Sequence, residues 1–217
     1  MRPNKQLAEL AQSLWSPTLQ DHKYRRGVVT LVTGSEDYPG AGVLSSAAAF
    51  RAGAGLVRYL GSEPAKAAIL ANYPEVVFQS GGGDAAVIGC GWAQSLKEEA
   101  KKVAAETPVA VVDAGALFLP QLWKDVPLKV LTPHLGEAAR MLERDVQWVQ
   151  EHPEDAALSL AEHHQSVVLL KAGITYVAQP SRVLSFEALT TWGGCAGAGD
   201  VLAGTVGAIM ARASKIG

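Results

Sequence analysis

The sequence predicts an α/β protein in which a mainly parallel sheet lies between two layers of helices. Short apolar runs alternate along the chain with longer segments of helical character, a pattern typical of a parallel sheet covered on both faces. Hydrophobic residues make up 48% of the 217 positions, enough for a sizeable core. Because no repeat, linker or low-complexity segment divides the chain, we predict a single domain over residues 1–217, with residues 1–24 as a peripheral segment.

The predicted strands are short, largely apolar runs bounded by turn-forming residues. The first, Val28–Thr33, is dominated by β-branched residues, which favours a buried strand. The later strands are placed at Leu56–Leu60, Ala85–Gly89, Val109–Asp113, Lys129–Thr132, Val167–Leu170 and Ile174–Ala178.

The predicted helices are recognised by their composition and by the residues at their ends. The first is alanine-rich and is followed by Gly53, and the second has Pro64 in its first turn. The helices before residue 190 are placed at Ala41–Arg51, Pro64–Leu70, Ser95–Ala105, Gly136–Leu142 and Glu154–His164. A last apolar helix begins beside Asp200.

Charge and cysteine content exclude several classes of function. The formal net charge is −2, and the longest basic clusters are the pairs Arg25-Arg26 and Lys101-Lys102, so binding to nucleic acid or to a membrane surface is disfavoured. No apolar run approaches the length of a membrane span, and the opening residues do not resemble a signal peptide. Two isolated cysteines, Cys90 and Cys195, favour a reducing compartment, so we expect a cytoplasmic protein.

The strongest local signal is a run of small residues that leads into the last helix. Gly197, Ala198 and Gly199 allow backbone amides to converge at a helix N-terminus, a geometry that binds anions such as phosphate. Asp200 would repel a phosphate, so we interpret it as a base that takes a proton from a substrate hydroxyl while the amides hold the phosphoryl group. The alternative is that Asp200 serves only as a helix N-cap.

Other loops that follow predicted strands carry single polar groups. Because parallel strands bring these loops to one end of the sheet, we expect them to line one site. Lys171 ends a strand before a small-residue turn, where contact with a phosphate would pair its charge; the alternative is a lysine that reaches solvent. Asp113 either binds substrate or caps a turn.

The segment from Thr132 to Glu137 joins a strand to a helix. Pro133 stiffens this junction and places His134 at the end of the sheet, where its imidazole could bind or polarise a ligand. Glu137 is either a charge in the first turn of the helix or a residue of a metal or phosphate site.

Taken together, these segments resemble the ADP-dependent NAD(P)H-hydrate dehydratase family, a branch of the ribokinase-like superfamily. The resemblance covers most of the chain from about Lys23 onward. It rests on residues 26–34, Pro39–Gly42, Arg51–Val57, Leu131–Ala138, Val168–Gly173 and Gly197–Gly204.

The resemblance implies a ribokinase-like three-layer α/β/α sandwich that returns the S epimer of hydrated NADH or NADPH to NAD(P)H. ADP would be the co-substrate, AMP and phosphate the products, and Mg²⁺ is expected to bridge phosphate oxygens rather than to sit in a protein cage. Carried over residue by residue, the contacts to the hydrated dinucleotide fall on Ala41, Gly91, His134 and Asp200. Those to the adenine nucleotide fall on Lys171, Ala172, Gly173, Ile174, Thr175 and Gly199. A homo-oligomer is also implied, the tetramer being common in the family.

The sequence departs from the family pattern near the expected site. Gly115 and Phe118 stand where the family commonly has Asp and Asn, and Cys90 replaces the proline of a Gly-Pro-Gly segment. Two alternatives therefore stay open. One is a small-molecule kinase of the same superfamily, which the segment from Thr132 to Glu137 argues against. The other is a nucleotide-binding protein without catalysis, which the missing carboxylate at Gly115 favours.

Overall fold

The central feature of the computed structural model is one mixed sheet. The structure describes residues 9, 12, 16–187 and 191–216, and in these residues eight strands pair in the order β2-β1-β3-β4-β5-β6-β7-β8. The strands are β1 Val28–Val32, β2 Leu56–Tyr59, β3 Ala85–Ile88, β4 Val109–Val112, β5 Leu128–Leu131, β6 Val167–Leu170, β7 Ile174–Gln179 and β8 Arg182–Glu187. β1 to β6 are parallel, whereas β7 is antiparallel to both β6 and β8. The α/β class is thus confirmed, with β8 as a strand that the sequence analysis did not predict.

Seven α-helices lie in the described residues. They are α1 Pro39–Arg51, α2 Glu63–Asn72, α3 Lys97–Ala105, α4 Leu135–Leu142, α5 Val146–Glu151, α6 Pro153–His164 and α7 Ala198–Ala213. All but α5 were predicted, with ends that differ by a few residues. Short 3-10 turns at residues 94–96, 114–118, 120–122 and 191–194 complete the architecture.

Two separate cores show why the fold has three layers. Successive side chains of a strand point to opposite faces of the sheet. Accordingly, Ala86 and Ile88 of β3 belong to the core that includes Ala100 of α3, whereas Val87 of the same strand belongs to the core that includes Ala203 of α7. Both faces of the parallel strands are therefore covered, as their nearly continuous apolar sequences predict.

The strand order places a functional site at one end of the sheet. β1 lies between β2 and β3, so the chain leaves β1 towards one side and later returns on the other. The crevice at the carboxyl ends of two such strands is where open α/β sheets bind ligands. The first turn of α1, which contains Ala41, and the loop after β3, which contains Gly91, meet there.

The amino-terminal segment is described only in part, since residues 1–8, 10, 11 and 13–15 lie outside the described residues. Within it, the largely buried Asp21 accepts hydrogen bonds from Arg212 of α7, at 3.1 Å and 3.2 Å. Residues 188–190 and 217 also lie outside the described residues, so the single domain over 1–217 and the peripheral segment over 1–24 stay predictions. No helix in the described residues is long and apolar enough to span a membrane.

Candidate functional site

Asp200 lies inside the first turn of α7 rather than at its cap. The N-cap residue is Gly197, whose φ of +86° is readily adopted only by glycine, and no side chain caps the helix there. Asp200 is the third residue of the helix, after Ala198 and Gly199. The alternative in which Asp200 is the N-cap is therefore wrong, and its carboxylate is left free for another role.

The backbone amides at this helix end are only partly available to an anion. The Ala198 amide donates to the Cys195 carbonyl at 3.2 Å, and the Val201 amide donates to the Gly197 carbonyl at 3.1 Å. The amides of Gly199 and Asp200 donate to no backbone carbonyl in the described residues. The anion hole predicted at Gly197, Ala198 and Gly199 stays a prediction, with Gly199 and Asp200 as its open donors.

Asp113, at the end of β4, is held by three side chains. Its Oδ1 accepts hydrogen bonds from Thr132 Oγ1 and from Lys171 Nζ, each at 2.7 Å. Its Oδ2 accepts from the Cys90 thiol at 3.5 Å. The Asp113 side chain is only 4% exposed, so this ion pair satisfies a charge that would otherwise be costly to bury.

The same ion pair changes the interpretation of Lys171. The sequence favoured a charge that faces a phosphate or solvent, whereas the structure pairs it with Asp113. The Lys171 side chain remains 22% exposed, so it can still contact a ligand. A Cβ placed on Gly199 would lie 3.3 Å from Lys171 Nζ, which puts the lysine directly beside the open amides of α7.

Asp200 differs from Asp113 in its electrostatic surroundings. Partial burial, followed by the negative charge of Asp113, raises the pKa of Asp200 above its ordinary value. A hydrogen bond from Cys90 and the positive charge of Lys171 oppose this effect. A carboxylate that binds a proton more readily than usual, beside open amides, suits a general base.

Cys90, Asp113 and Asp200 form a cluster whose ligand atoms all lie within 4.8 Å of one another. Burial and the two nearby carboxylates raise the pKa of the Cys90 thiol, so the thiol stays protonated. Mg²⁺ prefers oxygen ligands, and the Lys171 ammonium already engages Asp113. The cluster therefore does not suit a resident Mg²⁺, in line with the expectation of an ion carried by nucleotide phosphates.

Two of the predicted dinucleotide-binding residues are in direct contact at the crevice between β1 and β3. A Cβ placed on Gly91 would lie 2.7 Å from the Ala41 Cβ. The absence of a side chain at position 91 thus lets the loops after β1 and β3 approach closely and leaves backbone exposed to a flat ligand.

His134 caps α4 with one ring nitrogen. Its Nδ1 accepts hydrogen bonds from the amides of Gly136 and Glu137 at 3.0 Å and 3.3 Å, and Glu137 Oε2 accepts from the His134 amide at 2.8 Å. Of the two roles considered for Glu137, the structure shows the helix first-turn role, as part of a capping box. Because Nδ1 accepts, the neutral imidazole carries its proton on Nε2, from which it can donate to a ligand.

The predicted nucleotide-binding turn lies next to His134. The Lys171 amide donates to the Pro133 carbonyl at 2.8 Å, and a parallel bridge joins positions 134 and 171. Residues 171–173 join β6 to β7, and Gly173 is exposed with open space where a Cβ would project. The structure thus brings His134, Lys171, Gly199 and Asp200 to one end of the sheet, while their roles in binding stay predictions.

The departure at Gly115 has a local explanation. A Cβ at position 115 would lie 2.7 Å from the Trp92 Cβ, so Trp92 takes the space that a side chain at 115 would need. At the second departure, the Arg140 guanidinium lies 4.0 Å from the centroid of the Phe118 ring. Packing groups therefore replace the family's polar residues in this loop.

Comparisons with known proteins identify the family of this chain. A family model described as NAD(P)H-hydrate dehydratase matches residues 29–216. The chain is 35% identical over 223 residues to a bifunctional NAD(P)H-hydrate repair enzyme of Mycobacterium leprae, a match that covers 95% of this chain and 45% of that protein. The chain thus spans less than half the length of this bifunctional relative.

A shorter relative matches over most of its length. The ADP-dependent (S)-NAD(P)H-hydrate dehydratase of Xanthomonas campestris pv. campestris is 36% identical over 217 residues, covering 88% of this chain and 74% of that protein. Among solved structures, the ADP/ATP-dependent NAD(P)H-hydrate dehydratase of Bacillus subtilis, co-crystallised with ATP/Mg²⁺ and soaked with CoA, is similar. Its TM-score is 0.77 at 26% identity, over 94% of this chain and 80% of that one.

Proposed function

This chain belongs to the NAD(P)H-hydrate dehydratase family, and we propose that it converts (S)-NAD(P)H hydrate to NAD(P)H with ADP as the co-substrate. The observation that carries the proposal is the difference between two neighbouring carboxylates. Asp113 is engaged by Thr132 and Lys171, whereas burial and Asp113 itself raise the pKa of Asp200. One group is thus held as a structural anion, and the other is left to accept a proton.

The reaction proceeds in two steps. Asp200 takes the proton of the hydroxyl on the hydrated nicotinamide ring, and the resulting oxygen attacks the β-phosphorus of ADP, which releases AMP. Phosphate then leaves with the former hydroxyl oxygen as the C–O bond breaks, and loss of a ring proton restores the double bond of NAD(P)H. The sum is hydrate plus ADP giving NAD(P)H, AMP and phosphate.

Three groups of residues serve these steps. The open amides of Gly199 and Asp200, with the ammonium of Lys171, stabilise the transferring phosphoryl group. Ala41, Gly91 and His134 hold the dinucleotide, and the turn through Ala172, Gly173, Ile174 and Thr175 holds the adenine nucleotide. A Mg²⁺ ion carried by the ADP phosphates would neutralise part of their charge.

A direct assay tests the proposal. The protein is incubated with (S)-NADH hydrate, ADP and Mg²⁺, and the return of dihydronicotinamide absorbance is followed together with AMP and phosphate. Reactions without ADP, without Mg²⁺ or with the R epimer serve as controls. NADH formed in stoichiometric amounts with AMP is the expected result.

The assay also separates the two alternatives. A small-molecule kinase would leave a phosphorylated product without regenerating NADH, and a binding protein would bind ADP without consuming it. Either outcome would overturn the proposed reaction while leaving the nucleotide site intact.

We also propose a cytoplasmic homo-oligomer, with the tetramer as the expected form. The two free cysteines support a reducing compartment. The oligomer rests on the resemblance to the dehydratase family. Light scattering of the purified protein would measure the oligomeric state.

A further inference from the structure

The proposed reaction assigns no role to the Cys90 side chain, which forms a cluster with Asp113 and Asp200. Cys90 lies two residues after the end of β3, and it is fully buried. Its Sγ lies 3.5 Å from Asp113 Oδ2, and the ligand atoms of Cys90, Asp113 and Asp200 lie within 4.8 Å of one another. A thiol buried beside two acidic side chains can donate a hydrogen bond as well as fill space.

The backbone fixes the thiol in this position. Gly89 has a φ of +113°, and a Cβ at that residue would overlap the Asp113 carbonyl oxygen, so glycine lets the exits of β3 and β4 come together. The Cys90 carbonyl accepts a hydrogen bond from the Gly34 amide at 2.8 Å, which ties this turn to the exit of β1. The thiol is therefore presented to the carboxylates by three strand ends.

Burial and charge keep this thiol from acting as a nucleophile. Desolvation, followed by the charges of Asp113 and Asp200, raises the pKa of Cys90, with only Lys171 acting in the opposite direction. The thiolate is the nucleophilic form of cysteine, and its formation is suppressed here. What remains is a protonated S–H group, which is a weak hydrogen-bond donor.

The thiol donor matters less for the carboxylate of Asp113 than for that of Asp200. Asp113 already accepts bonds from Thr132 and Lys171 on its other oxygen. For Asp200, the groups that act on its charge are Asp113, Cys90 and Lys171, from the ends of β4, β3 and β6. Of these, Asp113 disfavours the ionised form, and Lys171 is already paired with Asp113. The Cys90 Sγ, which donates to Asp113 Oδ2, lies within 4.8 Å of an Asp200 carboxylate oxygen and is the uncharged donor of the three.

We propose that Cys90 is a positioning residue whose S–H group bridges Asp113 and Asp200 and supports the ionised, proton-accepting form of Asp200. Its part in turnover rests on the proposed function, whereas the hydrogen bond itself does not. The uncharged thiol offsets the repulsion between the carboxylates of Asp113 and Asp200. A cation in its place would instead form a lasting ion pair with Asp200. Asp200 thus remains a base in an environment that otherwise favours its protonation.

The test compares variants that lose the donor with one that keeps it. Cys90→Ala and Cys90→Val remove the donor with a smaller and a larger side chain, and Cys90→Ser keeps a hydroxyl donor. In each protein the Asp200 carboxyl is titrated by carbon NMR without substrates, and the pH profile of turnover is recorded. Val87→Ala, on β3, is the control for loss of buried volume.

We expect both donor-free variants to raise the titration midpoint of Asp200 by roughly 0.4 to 1 pH unit, the value of one ordinary hydrogen bond. The acid limb of the turnover profile should move upward by the same amount. Cys90→Ser should stay at or below the wild-type midpoint, and Val87→Ala should lower thermal stability without moving it.

An unchanged Asp200 midpoint in Cys90→Ala, or a shift in Cys90→Ser as large as that in Cys90→Ala, would overturn the role. If Cys90→Ala and Cys90→Val shift the midpoint in opposite directions, side-chain volume rather than the donor is responsible, and the role is likewise overturned. If the wild-type protein shows no turnover at any pH, the proposed function fails while the NMR titration still decides the hydrogen bond.

Discussion

The two ends of the central sheet both carry charged side chains, but their carboxylates are paired differently. At the amino end, Asp84 accepts a hydrogen bond from the Val28 amide at 2.8 Å and forms an ion pair with Lys215 at 2.7 Å. At the carboxyl end, Asp113 forms an ion pair with Lys171, whereas no ion pair involves Asp200 in the described residues. The proposed base therefore lies at the end where one acidic group lacks a dedicated cation.

Cavity size points to the opposite end. A cavity of about 410 Å³ opens at the amino end, lined in part by Arg58, Asp84 and Lys215. Its carboxylates are engaged, because Glu106 Oε2 accepts from the Gly82 amide at 3.0 Å and Asp84 has the partners above. The proposal therefore places the chemistry at the end with a group available for proton transfer rather than at the end with this cavity.

The largest expected effect is on turnover when Asp200 is neutralised, compared with the same change at Asp84 at the other end. Asp200→Asn should lower turnover roughly 100- to 10,000-fold, because it removes the general base while keeping the shape of the side chain. ADP affinity, measured by calorimetry, should be largely kept. The matched variant Asp84→Asn should leave turnover unchanged. Near-normal turnover in Asp200→Asn would refute the assignment of the base.

Breaking the ion pair at each end should have unequal effects on stability. Asp113→Ala should lower the free energy of unfolding by on the order of 3 kcal/mol, because it leaves Lys171 without its partner in a largely buried site. Lys215→Ala breaks a pair whose side chains are 35% and 19% exposed, and should cost less than about 1 kcal/mol. Urea unfolding measures both, and equal losses would contradict the distinction between the two ends.

Removing the cation at the carboxyl end should affect one substrate more than the other. Lys171→Met should weaken ADP binding by roughly 10- to 100-fold, the value of a charge-assisted hydrogen bond to phosphate. The hydrated dinucleotide should lose less affinity. Calorimetry with each ligand separates the two, after circular dichroism has verified that the variant is folded. Lys66→Met, which removes the ammonium that pairs with Glu63 on α2, is the control. An ADP affinity unchanged in Lys171→Met would argue against the phosphate contact.

The sequence was sufficient to predict which loops meet, but not how their charges pair. Asp200, Lys171 and His134 were predicted at one end of the sheet because loops after parallel strands must gather there. The bond between Asp113 and Lys171 joins residues 58 positions apart and depends on side-chain geometry that strand periodicity does not determine. Cys90 was missed for the same reason, although its place directly after a predicted strand could have marked it.

The elements that escaped prediction had weak patterns. Residues 184–187, the last four of β8, are all exposed. The strand therefore lacks the alternation of apolar and polar residues by which a strand is recognised in a sequence. α5 has six residues, too few for a helical period to be recognised. β8 pairs Glu187 with Ile174 and Phe186 with Thr175, two of the predicted nucleotide-binding residues, so the strand that borders this part of the predicted site was missed.

A smaller effect is expected at His134, where the cap and the ligand contact can be separated. His134→Ala should raise the Michaelis constant for hydrated NAD(P)H several-fold and leave ADP affinity nearly intact, while loss of the Nδ1 cap should cost about 1 kcal/mol of stability. His134→Asn restores a capping oxygen without the imidazole. It should therefore recover the stability but not the Michaelis constant, and recovery of both would assign His134 to helix capping alone.

The smallest expected effect is a gain in stability when Asp200 is neutralised. Burial and the charge of Asp113 raise the pKa of Asp200 in the folded protein, so the folded state binds this proton more tightly than the unfolded state, whose reference value is 3.8. That contribution is present at pH values below 3.8 and is lost as the pH rises through the raised folded-state pKa. The free energy of unfolding of Asp200→Asn, relative to wild type, should therefore increase across this window and stay constant above it. Asp84→Asn should show the opposite sign at neutral pH, because it weakens the bonds to Val28 and Lys215. Urea unfolding over a series of pH values measures both differences, and an Asp200→Asn protein less stable than wild type at neutral pH would show that this carboxylate supports the fold.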